Sequence, residues 1–209
     1  MARTAKVVRK TKETEIELEL DIESGEDSDI FTPVPFFTHM LDNFSRHGLF
    51  SMNLDVKGDV EVDLHHTVED VGLALGEAFK EALGDKRGIR RCATASVPMM
   101  DALTTVVVDI SGRPYFRFDT TRNSYSVAHK SVASMVGQNL EKAFDIDLTC
   151  EFLKALSNSA GLDLHVKLEY GRDVHHSIES IFKALGRALS GAVEIDKRIK
   201  GVPSTKGTL

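Results

Sequence analysis

The sequence predicts an internally duplicated α+β fold: two similar halves, each with a mixed or antiparallel β-sheet packed on two α-helices. The first observation is a repeated His-His-x-x-Glu motif, at residues 65–69 and again 110 residues later at 175–179. The second is that Leu-x-Val precedes both copies at the same distance, at residues 54–56 and 164–166. The third is a Leu-Gly-x-Ala segment that follows each copy at equal spacing. Each repeat therefore contains a strand, the histidine motif and a helix.

The first half begins with strand and turn signals. Residues 15–22 alternate charged and apolar side chains, which predicts a half-buried strand, and Ser24-Gly25 predicts a turn after it. Helices are expected over residues 36–47 and within residues 63–83, with a strand between them. Residues 84–88 contain two glycines and three charged residues, which is typical of a helix end followed by a linker.

The second half repeats this order. Residues 103–110 are rich in β-branched side chains and predict a strand, which Ser111-Gly112 ends in a turn. Helices are expected from about residue 131 to 158 and from residue 175 to 193. We expect the following division of the chain: a first α+β repeat at residues 1–90, a second at 91–200 and a flexible C-terminal tail at 201–209.

Composition favours a cytoplasmic enzyme. The 209 residues are 42% hydrophobic and 28% charged, with a formal net charge of -6, as in ordinary globular proteins. Without a basic face, a nucleic-acid partner is not expected. A membrane partner is not expected either, because no apolar run approaches the roughly 20 residues that cross a bilayer. The basic segment 1–12 lacks the apolar core of a signal peptide, and Cys92 and Cys150 have no metal-binding or disulfide-scaffold spacing.

The repeated motif offers two kinds of metal ligand at the start of a helix. Residues three or four apart lie on about the same helix face, so Glu69 is expected beside His65 or His66. Adjacent histidines diverge by about 100°, which suits two neighbouring metal ions better than one closed tetrahedral site. Imidazole and carboxylate without thiolate favour divalent Mn, Fe, Co, Ni or Zn. Three nearby acids are expected to accept hydrogen bonds from imidazole N–H groups: Asp63, Asp70 and Asp173.

The other histidines carry weaker signals. A single histidine pair is also common as a polar surface feature of helix starts, and only the second copy of the motif makes metal binding the better interpretation. His39 lies in the apolar segment Phe-Phe-Thr-His-Met-Leu, where a lone histidine is more often a core residue than a ligand. His47, His129 and His165 have no spacing that points to a metal.

Basic residues at glycine turns indicate an anion-binding region. Arg91 follows Gly88, and Arg113 follows Ser111-Gly112, where guanidinium groups can face a phosphate. Residues 203–207 add two hydroxyls and a lysine on a segment able to fold over an anionic ligand. Taken singly, each of these residues is better explained as a solvated surface group.

Together these segments resemble the imidazoleglycerol-phosphate dehydratase family. The resemblance runs through nearly the whole chain in order, and the paired HHxxE motifs are specific to that family. The matching segments are RKTKET (9–14), FFTHMLD (36–42), RHGLF (46–50), GD (58–59), HHTVEDVG (65–72), LG (75–76), DISGRP (109–114), LHV (164–166), HHSIE (175–179), FKA (182–184) and PSTKG (203–207).

The resemblance implies loss of water from D-erythro-imidazole-glycerol phosphate, giving imidazole-acetol phosphate in histidine biosynthesis. It also implies two Mn²⁺ ions per active site and a homo-oligomer of 24 subunits with sites at subunit contacts. Glu13 matches an acid/base glutamate of the substrate pocket. Arg91, Arg113, Ser204 and Lys206 match the substrate-phosphate region, on which the tail is expected to close. The residues that match metal ligands are His39, His65, His66, Glu69, His175, His176 and Glu179.

The implied reaction accounts for a doubled ligand motif. The proton to be lost is not beside a carbonyl, so the elimination needs another electron sink. A substrate imidazole bound to metal can be held as imidazolate, because a bound cation lowers the pKa of its ligand. The imidazolate can expel hydroxide while Glu13 manages the protons.

Some positions depart from the pattern common in the family. Met100 stands where an acid is common, so that Asp101 only partly replaces an acidic pair, and Asp173 stands where asparagine is common. Glu151 stands where many relatives have a histidine, which in some is a further ligand. Glu151 is expected either to ligate as a carboxylate or to leave that position to water.

Two other functions use the same ligands. A binuclear metallohydrolase would activate water with them and release inorganic phosphate. A non-catalytic protein would use the metals to join subunits, with metal-dependent assembly and no turnover. The match of the substrate-pocket residues favours the dehydratase.

Overall fold

The computed structural model describes residues 3–120, 131–132 and 144–209. The elements of the first half are β1 (Thr4–Lys10), β2 (Thr14–Asp21), β3 (Asp29–Phe31), α1 (Pro35–Gly48), β4 (Ser51–Gly58) and α2 (His65–Leu83). Those described in the second half are β5 (Cys92–Met99), β6 (Ala102–Asp109), β7 (Tyr115–Thr120), β8 (Ser131–Val132), β9 (Phe144–Asp145), α3 (Ile146–Ala160), β10 (Asp163–Tyr170) and α4 (Val174–Val193). Across this described part of the chain, no helix combines the length and apolar content that a bilayer crossing requires.

The two halves contain four-stranded sheets of the same topology. One sheet has the order β1-β2-β4-β3 and the other the order β5-β6-β10-β7. In each, the first three strands in that order pair antiparallel, and the last pairs parallel with its neighbour. The predicted duplicated α+β architecture is confirmed, whereas the expected limits at residues 90 and 200 remain a prediction.

Both sheets start with a strand that the alternation of side chains did not predict. β1 buries only Val7, and β5 buries only Val97. Each lies at the edge of its sheet, where exposed side chains alternate with side chains that are mostly only partly buried. Several of the inward positions carry alanine (Ala5, Ala93 and Ala95), so the sequences of these strands lack the alternation of large apolar and polar side chains that predicts a half-buried strand.

The expected helix start near residue 131 is wrong. Residues 131–132 form a short strand paired with residues 144–145, and the described helix begins at Ile146. The part of the expected helix at 133–143 lies outside the described residues. Asp145 stands at the N-cap, and its side chain accepts a hydrogen bond from the backbone N–H of Leu148 at 2.8 Å. This cap satisfies a backbone donor that the start of the helix leaves free, which sets the boundary.

The helices cross between the halves. α2 packs on the first sheet and α4 on the second, while α1 packs against α4 and α3 packs against α2. The glycine of each Leu-Gly-x-Ala segment lies at one of these crossings: a Cβ added to Gly76 would lie 2.8 Å from Leu156 O, and one added to Gly186 would lie 2.9 Å from Gly48 N. Because only glycine permits such close backbones, the repeated glycine sets how the halves pack. One continuous hydrophobic core results.

Candidate metal centre

The two histidine motifs occupy the first turns of α2 and α4. Asp173 is the N-cap of α4 and accepts a hydrogen bond from the backbone N–H of His176 at 3.0 Å. Before α2, Asp63 accepts one from the backbone N–H of His65 at 3.2 Å. Both acids thus accept hydrogen bonds from backbone N–H groups at the helix start. The Asp173 carboxylate lies 3.9 Å from Nδ1 of His176, which is beyond hydrogen-bond distance.

The first ligand group, the His39 cluster, consists of His39, His175 and Glu179. Glu179 Oε2 lies 3.1 Å from His175 Nε2 and 3.7 Å from His39 Nε2. His39 comes from α1 and the other two from α4, so the α1–α4 crossing assembles the cluster. The ring of Phe36 contacts the ring of His175 edge-on at a centroid distance of 5.1 Å and restricts its orientation.

The carboxylate of the His39 cluster is held in its charged form. The Glu179 side chain is only 7% exposed, and Lys183 Nζ lies 2.5 Å from its Oε1. Burial alone would raise the pKa of Glu179, but the hydrogen bond and charge of Lys183, together with the hydrogen bond from His175, hold the pKa below its usual range. Oε2, the other oxygen, faces the two imidazoles and is placed to bind a cation.

The second ligand group, the His65 cluster, consists of His65, Glu69 and Glu151. The sequence left open which histidine accompanies Glu69; His65 Nε2 lies 3.5 Å from Glu69 Oε2. Glu151 comes from α3, so this cluster spans the α2–α3 crossing as the His39 cluster spans the other. In each group, one ligand atom per residue lies within 4.8 Å of the others.

The second histidine of each motif does not belong to the cluster that contains the first. Planes of the His65 and His66 rings meet at 87° and those of His175 and His176 at 73°. His66 Nδ1 lies 3.1 Å from Asp59 Oδ2, and that hydrogen bond is the main cause of the raised pKa of His66. When a carboxylate accepts from Nδ1–H, Nε2 is left free to bind a metal.

Asp101 has the same role beside His176. Its Oδ1 lies 2.6 Å from His176 Nδ1, and its Oδ2 accepts from the backbone N–H groups of Arg172 and Asp173. These hydrogen bonds, that of His176 first, hold the pKa of Asp101 below its usual range. The sequence did not single out Asp59 or Asp101 as an imidazole partner. Asp59 reaches His66 from the loop before α2, and Asp101 reaches His176 from the distant β5–β6 hairpin.

The expected role of Asp70 as an imidazole partner is wrong. Asp70 is buried, accepts from Arg9 Nη2 at 2.8 Å and accepts from Thr14 Oγ1 at 2.5 Å. It therefore ties α2 to the β1–β2 turn, which carries Glu13. The backbone of that turn is fixed further by a hydrogen bond from Asp59 N to Glu13 O at 3.0 Å. Glu13 Oε2 lies 3.9 Å from His66 Nδ1, with half of its side chain exposed.

The basic residues expected at the substrate phosphate lie near the tail. Arg91 donates to both carboxylate oxygens of Asp109 and, through Nη1, to Pro203 O at 2.9 Å. Arg113 is exposed at the Ser111 turn, where its N–H donates to Ser111 Oγ. In the tail, Ser204 Oγ accepts from the N–H of Lys206 at 3.2 Å.

The remaining histidines and the cysteines lie outside both clusters. His165 Nε2 pairs with Asp163 at 3.0 Å, and burial lowers the pKa of His47. His129 falls outside the described residues. In the described part of the chain neither Cys92 nor Cys150 belongs to a metal-ligating group.

Both clusters fit a divalent metal by the chemistry of their donors. Each combines imidazole nitrogen with carboxylate oxygen and lacks thiolate, which is the set typical of catalytic Mn, Fe, Co, Ni or Zn. Glu179 has a lowered pKa, and His66 and His176 each have Nδ1 already bonded to an aspartate, so these groups need little rearrangement to bind a metal. The fold and these groups together define a duplicated α+β protein with one imidazole–carboxylate group at each helix crossing.

Comparison with known proteins identifies the family to which the chain belongs. Residues 32–189 match the model of the family "Imidazoleglycerol-phosphate dehydratase". Imidazoleglycerol-phosphate dehydratases of Geobacter metallireducens and Geobacillus kaustophilus are both 50% identical over 209 residues, covering all of both chains. That of Bacillus subtilis is 50% identical over 207 residues, 99% of this chain and 100% of the relative. The chain belongs to the imidazoleglycerol-phosphate dehydratase family, whose members are hydro-lyases of histidine biosynthesis.

Solved structures agree with this assignment. Imidazoleglycerol-phosphate dehydratase from Staphylococcus aureus has a TM-score of 0.74 at 34% identity, covering 92% of this chain and 99% of its own. The enzyme from Pyrococcus furiosus, solved in complex with (S)-C348, has a TM-score of 0.77 at 33% identity, covering 97% and 100%.

Proposed function

We propose that the chain removes water from D-erythro-imidazole-glycerol phosphate and produces imidazole-acetol phosphate. The observation that carries the proposal is the pair of equivalent imidazole–carboxylate clusters, one of which shares its helix with His66, 3.9 Å from the Glu13 carboxylate. A hydro-lyase needs a group that moves protons beside the groups that bind the reacting ring. The arrangement supplies both.

The ligands proposed for Mn²⁺, two ions per active site, are His39, His65, His66, Glu69, His175, His176 and Glu179. When bound, the metal would supply electrophilic stabilisation that lets the substrate ring take its imidazolate form. Lys183 and His175 hold the pKa of Glu179 below its usual range, and Asp59 and Asp101 orient His66 and His176 through Nδ1. All of these contacts exist before the substrate binds, so the substrate imidazole meets groups that are already oriented.

Glu13 is proposed to move the protons. Its carboxylate is exposed enough to reach a substrate, while its backbone is fixed by Thr11, Thr14 and Asp59. It gives a proton to the hydroxyl that leaves from the carbon beside the ring, and takes one from the next carbon. The resulting enol becomes the ketone of imidazole-acetol phosphate.

Arg91, Arg113, Ser204 and Lys206 are proposed to bind the substrate phosphate, with the tail at 201–209 closing over it. Besides its proposed contact with the phosphate, Arg91 donates to Asp109 and to Pro203 O, and so it also fixes the base of the tail. Arg113 and Lys206, which are exposed, are the groups free to turn toward a phosphate.

The assembly and location are proposed from the family resemblance. The chain is expected to form a homo-oligomer of 24 subunits in the cytoplasm, with active sites at subunit contacts. His66 and His176 support shared sites, because neither belongs to a ligand cluster of its own chain.

Product analysis tests the proposal. Full-length protein with Mn²⁺ and imidazole-glycerol phosphate is expected to yield imidazole-acetol phosphate. Glu13→Gln is expected to lose at least about a hundredfold in kcat, the usual contribution of a general acid–base, with unchanged metal content. Glu15→Gln, at a partly exposed neighbour paired with Lys10 and Lys57, is the matched control and is expected to keep full activity.

Two outcomes would contradict the proposal. Release of inorganic phosphate without imidazole-acetol phosphate would indicate a metallohydrolase. Metal-dependent assembly with no turnover, in both the wild-type protein and Glu13→Gln, would indicate a non-catalytic assembly protein.

A further inference from the structure

The β1–β2 and β5–β6 hairpins are structural equivalents, with a spacing of 88 residues between corresponding positions. All seven residue pairs between β1 and β2 recur at this spacing between β5 and β6. The spacing carries Glu13, in the turn of the first hairpin, onto Asp101, in the turn of the second. The residue proposed to move the protons therefore has an acidic counterpart in the other half.

Both turn carboxylates face the second histidine of the motif in their own half. Asp101 Oδ1 lies 2.6 Å from His176 Nδ1 and forms a hydrogen bond with it. Glu13 Oε2 lies 3.9 Å from His66 Nδ1, beyond hydrogen-bond distance, and half of its side chain is exposed. One of the two equivalent acids is thus bound to its histidine and the other is not.

The difference originates where a strand of each sheet leads into the helix that carries the motif. Gly58 and Gly171 correspond to each other, because a Cβ added to either would collide with the side-chain hydroxyl of the third residue of the following motif. The next residue is Asp59 in the first half and Arg172 in the second. The two halves therefore carry opposite charges at the same position.

Asp59 and Arg172 contact the hairpin turns in a similar way through their backbones. The N–H of Asp59 donates to Glu13 O at 3.0 Å. The N–H of Arg172 donates to Asp101 Oδ2, also at 3.0 Å. Only one of the two side chains can hold a histidine, because the Asp59 carboxylate lies 3.1 Å from His66 Nδ1, whereas a guanidinium has no acceptor for an imidazole N–H. In the second half the acceptor is instead the carboxylate of the turn, Asp101.

We propose that Asp59 is a positioning residue that keeps Glu13 available for proton transfer. Because Asp59 holds Nδ1 of His66, the Glu13 carboxylate is not needed there and stays free to reach a substrate. Without Asp59, a movement of about 1 Å brings Glu13 within hydrogen-bond distance of Nδ1. Glu13 then orients the histidine, as Asp101 orients His176, and no longer meets the substrate. The inference rests on the proposed function for the task of Glu13, and its first test needs no substrate.

A double-mutant cycle on Mn²⁺ binding by the metal-free full-length protein tests this exchange of partners. Free Mn²⁺ is followed by its electron paramagnetic resonance signal. Glu13→Ala and Asp59→Ala are each expected to stay within about threefold of the wild-type affinity, because one carboxylate is still present to hold His66. The double variant is expected to lose at least about tenfold, the effect of removing the partner of a metal-ligating histidine.

Asp101→Ala is the matched comparison in the second half. It removes the equivalent acid where the neighbouring side chain, Arg172, cannot replace it as an acceptor. This single substitution is therefore expected to weaken Mn²⁺ binding by at least about tenfold without a second change.

Turnover at saturating Mn²⁺ provides a second readout. Asp59→Ala is expected to lose at least about tenfold in kcat while its metal stays bound, because a captured Glu13 forfeits much of the hundredfold or more that a general acid–base contributes. Asp59→Asn, whose amide oxygen can still accept from the imidazole N–H, is expected to retain most of the wild-type kcat.

Equal Mn²⁺ affinity of Asp59→Ala and the double variant, with helical content unchanged, would overturn the inference, as would a wild-type kcat in Asp59→Ala. Because the cycle is measured without substrate, its failure would leave the dehydratase proposal intact. A fully loaded wild-type protein that forms no imidazole-acetol phosphate would instead reject the dehydratase proposal, whatever the result of the cycle.

Discussion

Glu69 and Glu179 show how far sequence reasoning reaches at the scale of single residues. The spacing in each motif predicted a carboxylate on the face of a neighbouring histidine, and both glutamates lie beside the first histidine of their pair. The partners of the second histidines could not be predicted. Asp101 lies 75 residues before His176, and only the pairing of β5 with β6 brings its hairpin to the helix start.

Asp70 shows why a nearby acid is not a safe guide to function. It follows Glu69 directly but points to the sheet, where Arg9 and Thr14 bind it. On a helix, consecutive side chains diverge by about 100°, so the residue after a ligand faces elsewhere. Asp70 thereby fixes the turn that carries Glu13.

Thr14→Val tests that linkage. The substitution keeps the shape of the side chain and removes the hydroxyl that donates to Asp70, at a cost of about 1 kcal/mol in the free energy of unfolding. A loosened turn is expected to lower kcat with unchanged bound Mn²⁺. Thr105→Val, which removes a hydroxyl bonded to Ser96 at an exposed position, is the matched control. Equal kcat values for the two variants and the wild type would refute the linkage.

Asp109 predicts a pH effect on stability. Burial alone would raise its pKa, but the hydrogen bonds from Arg91 and Cys92 and the charge of Arg91 hold the pKa below its usual range. A group with a depressed folded pKa stabilises the protein above its ordinary pKa of about 4, and that contribution is lost as the pH falls through the folded value.

Urea unfolding of Asp109→Asn at several pH values measures the contribution. We expect the variant to be less stable than the wild type by about 1–2 kcal/mol at pH 7, a modest value for a partly exposed charged hydrogen bond. The difference should shrink below about pH 4. Asp119→Asn, which breaks an exposed pair with Arg117, should change stability little at any pH. A difference for Asp109→Asn that grows as the pH falls would contradict the assignment.

At the scale of elements, a helix or strand was predictable where one face is buried. β2, β4, β6, α1, α2 and α4 show such a face, whereas β1 and β5 at the sheet edges do not. The sequence showed that the Leu-Gly-x-Ala segment is repeated, but not why its glycine is needed, because that depends on which helices pack together. Gly76 and Gly186 are required because backbone atoms of another helix pass within reach of their Cα atoms.

Gly76→Ala and Gly186→Ala are each expected to destabilise the protein by roughly 1–3 kcal/mol, the usual cost of overpacking a close contact. Backbone on the opposite helix cannot move aside as a flexible side chain would. Thermal unfolding of the full-length protein measures the loss. Gly191→Ala in α4 is the control, because within the described part of the chain the added Cβ would approach the side-chain methyl of Ala93 at 3.1 Å and no backbone atom. Stability equal to that of the wild type in either crossing variant would show that the helices separate freely.

At the scale of the whole molecule, the exchange of helices between the halves was not predictable. The two halves have the same pattern, so α1 could have packed against α2 as well as against α4 without changing any buried face. The observed pairing puts ligands from both halves into each cluster. Duplication therefore produced two composite imidazole–carboxylate clusters rather than two independent ones.

The most direct test of this account is a titration of the metal-free protein with Mn²⁺ in the presence of imidazole-glycerol phosphate. Bound metal and imidazole-acetol phosphate are measured on the same samples. The account predicts that product formation follows bound Mn²⁺ up to two ions per active site, and that His65→Gln and His175→Gln, one from each cluster, each abolish it. Product formed at full rate without metal, or a fully loaded protein that forms none, would contradict the account.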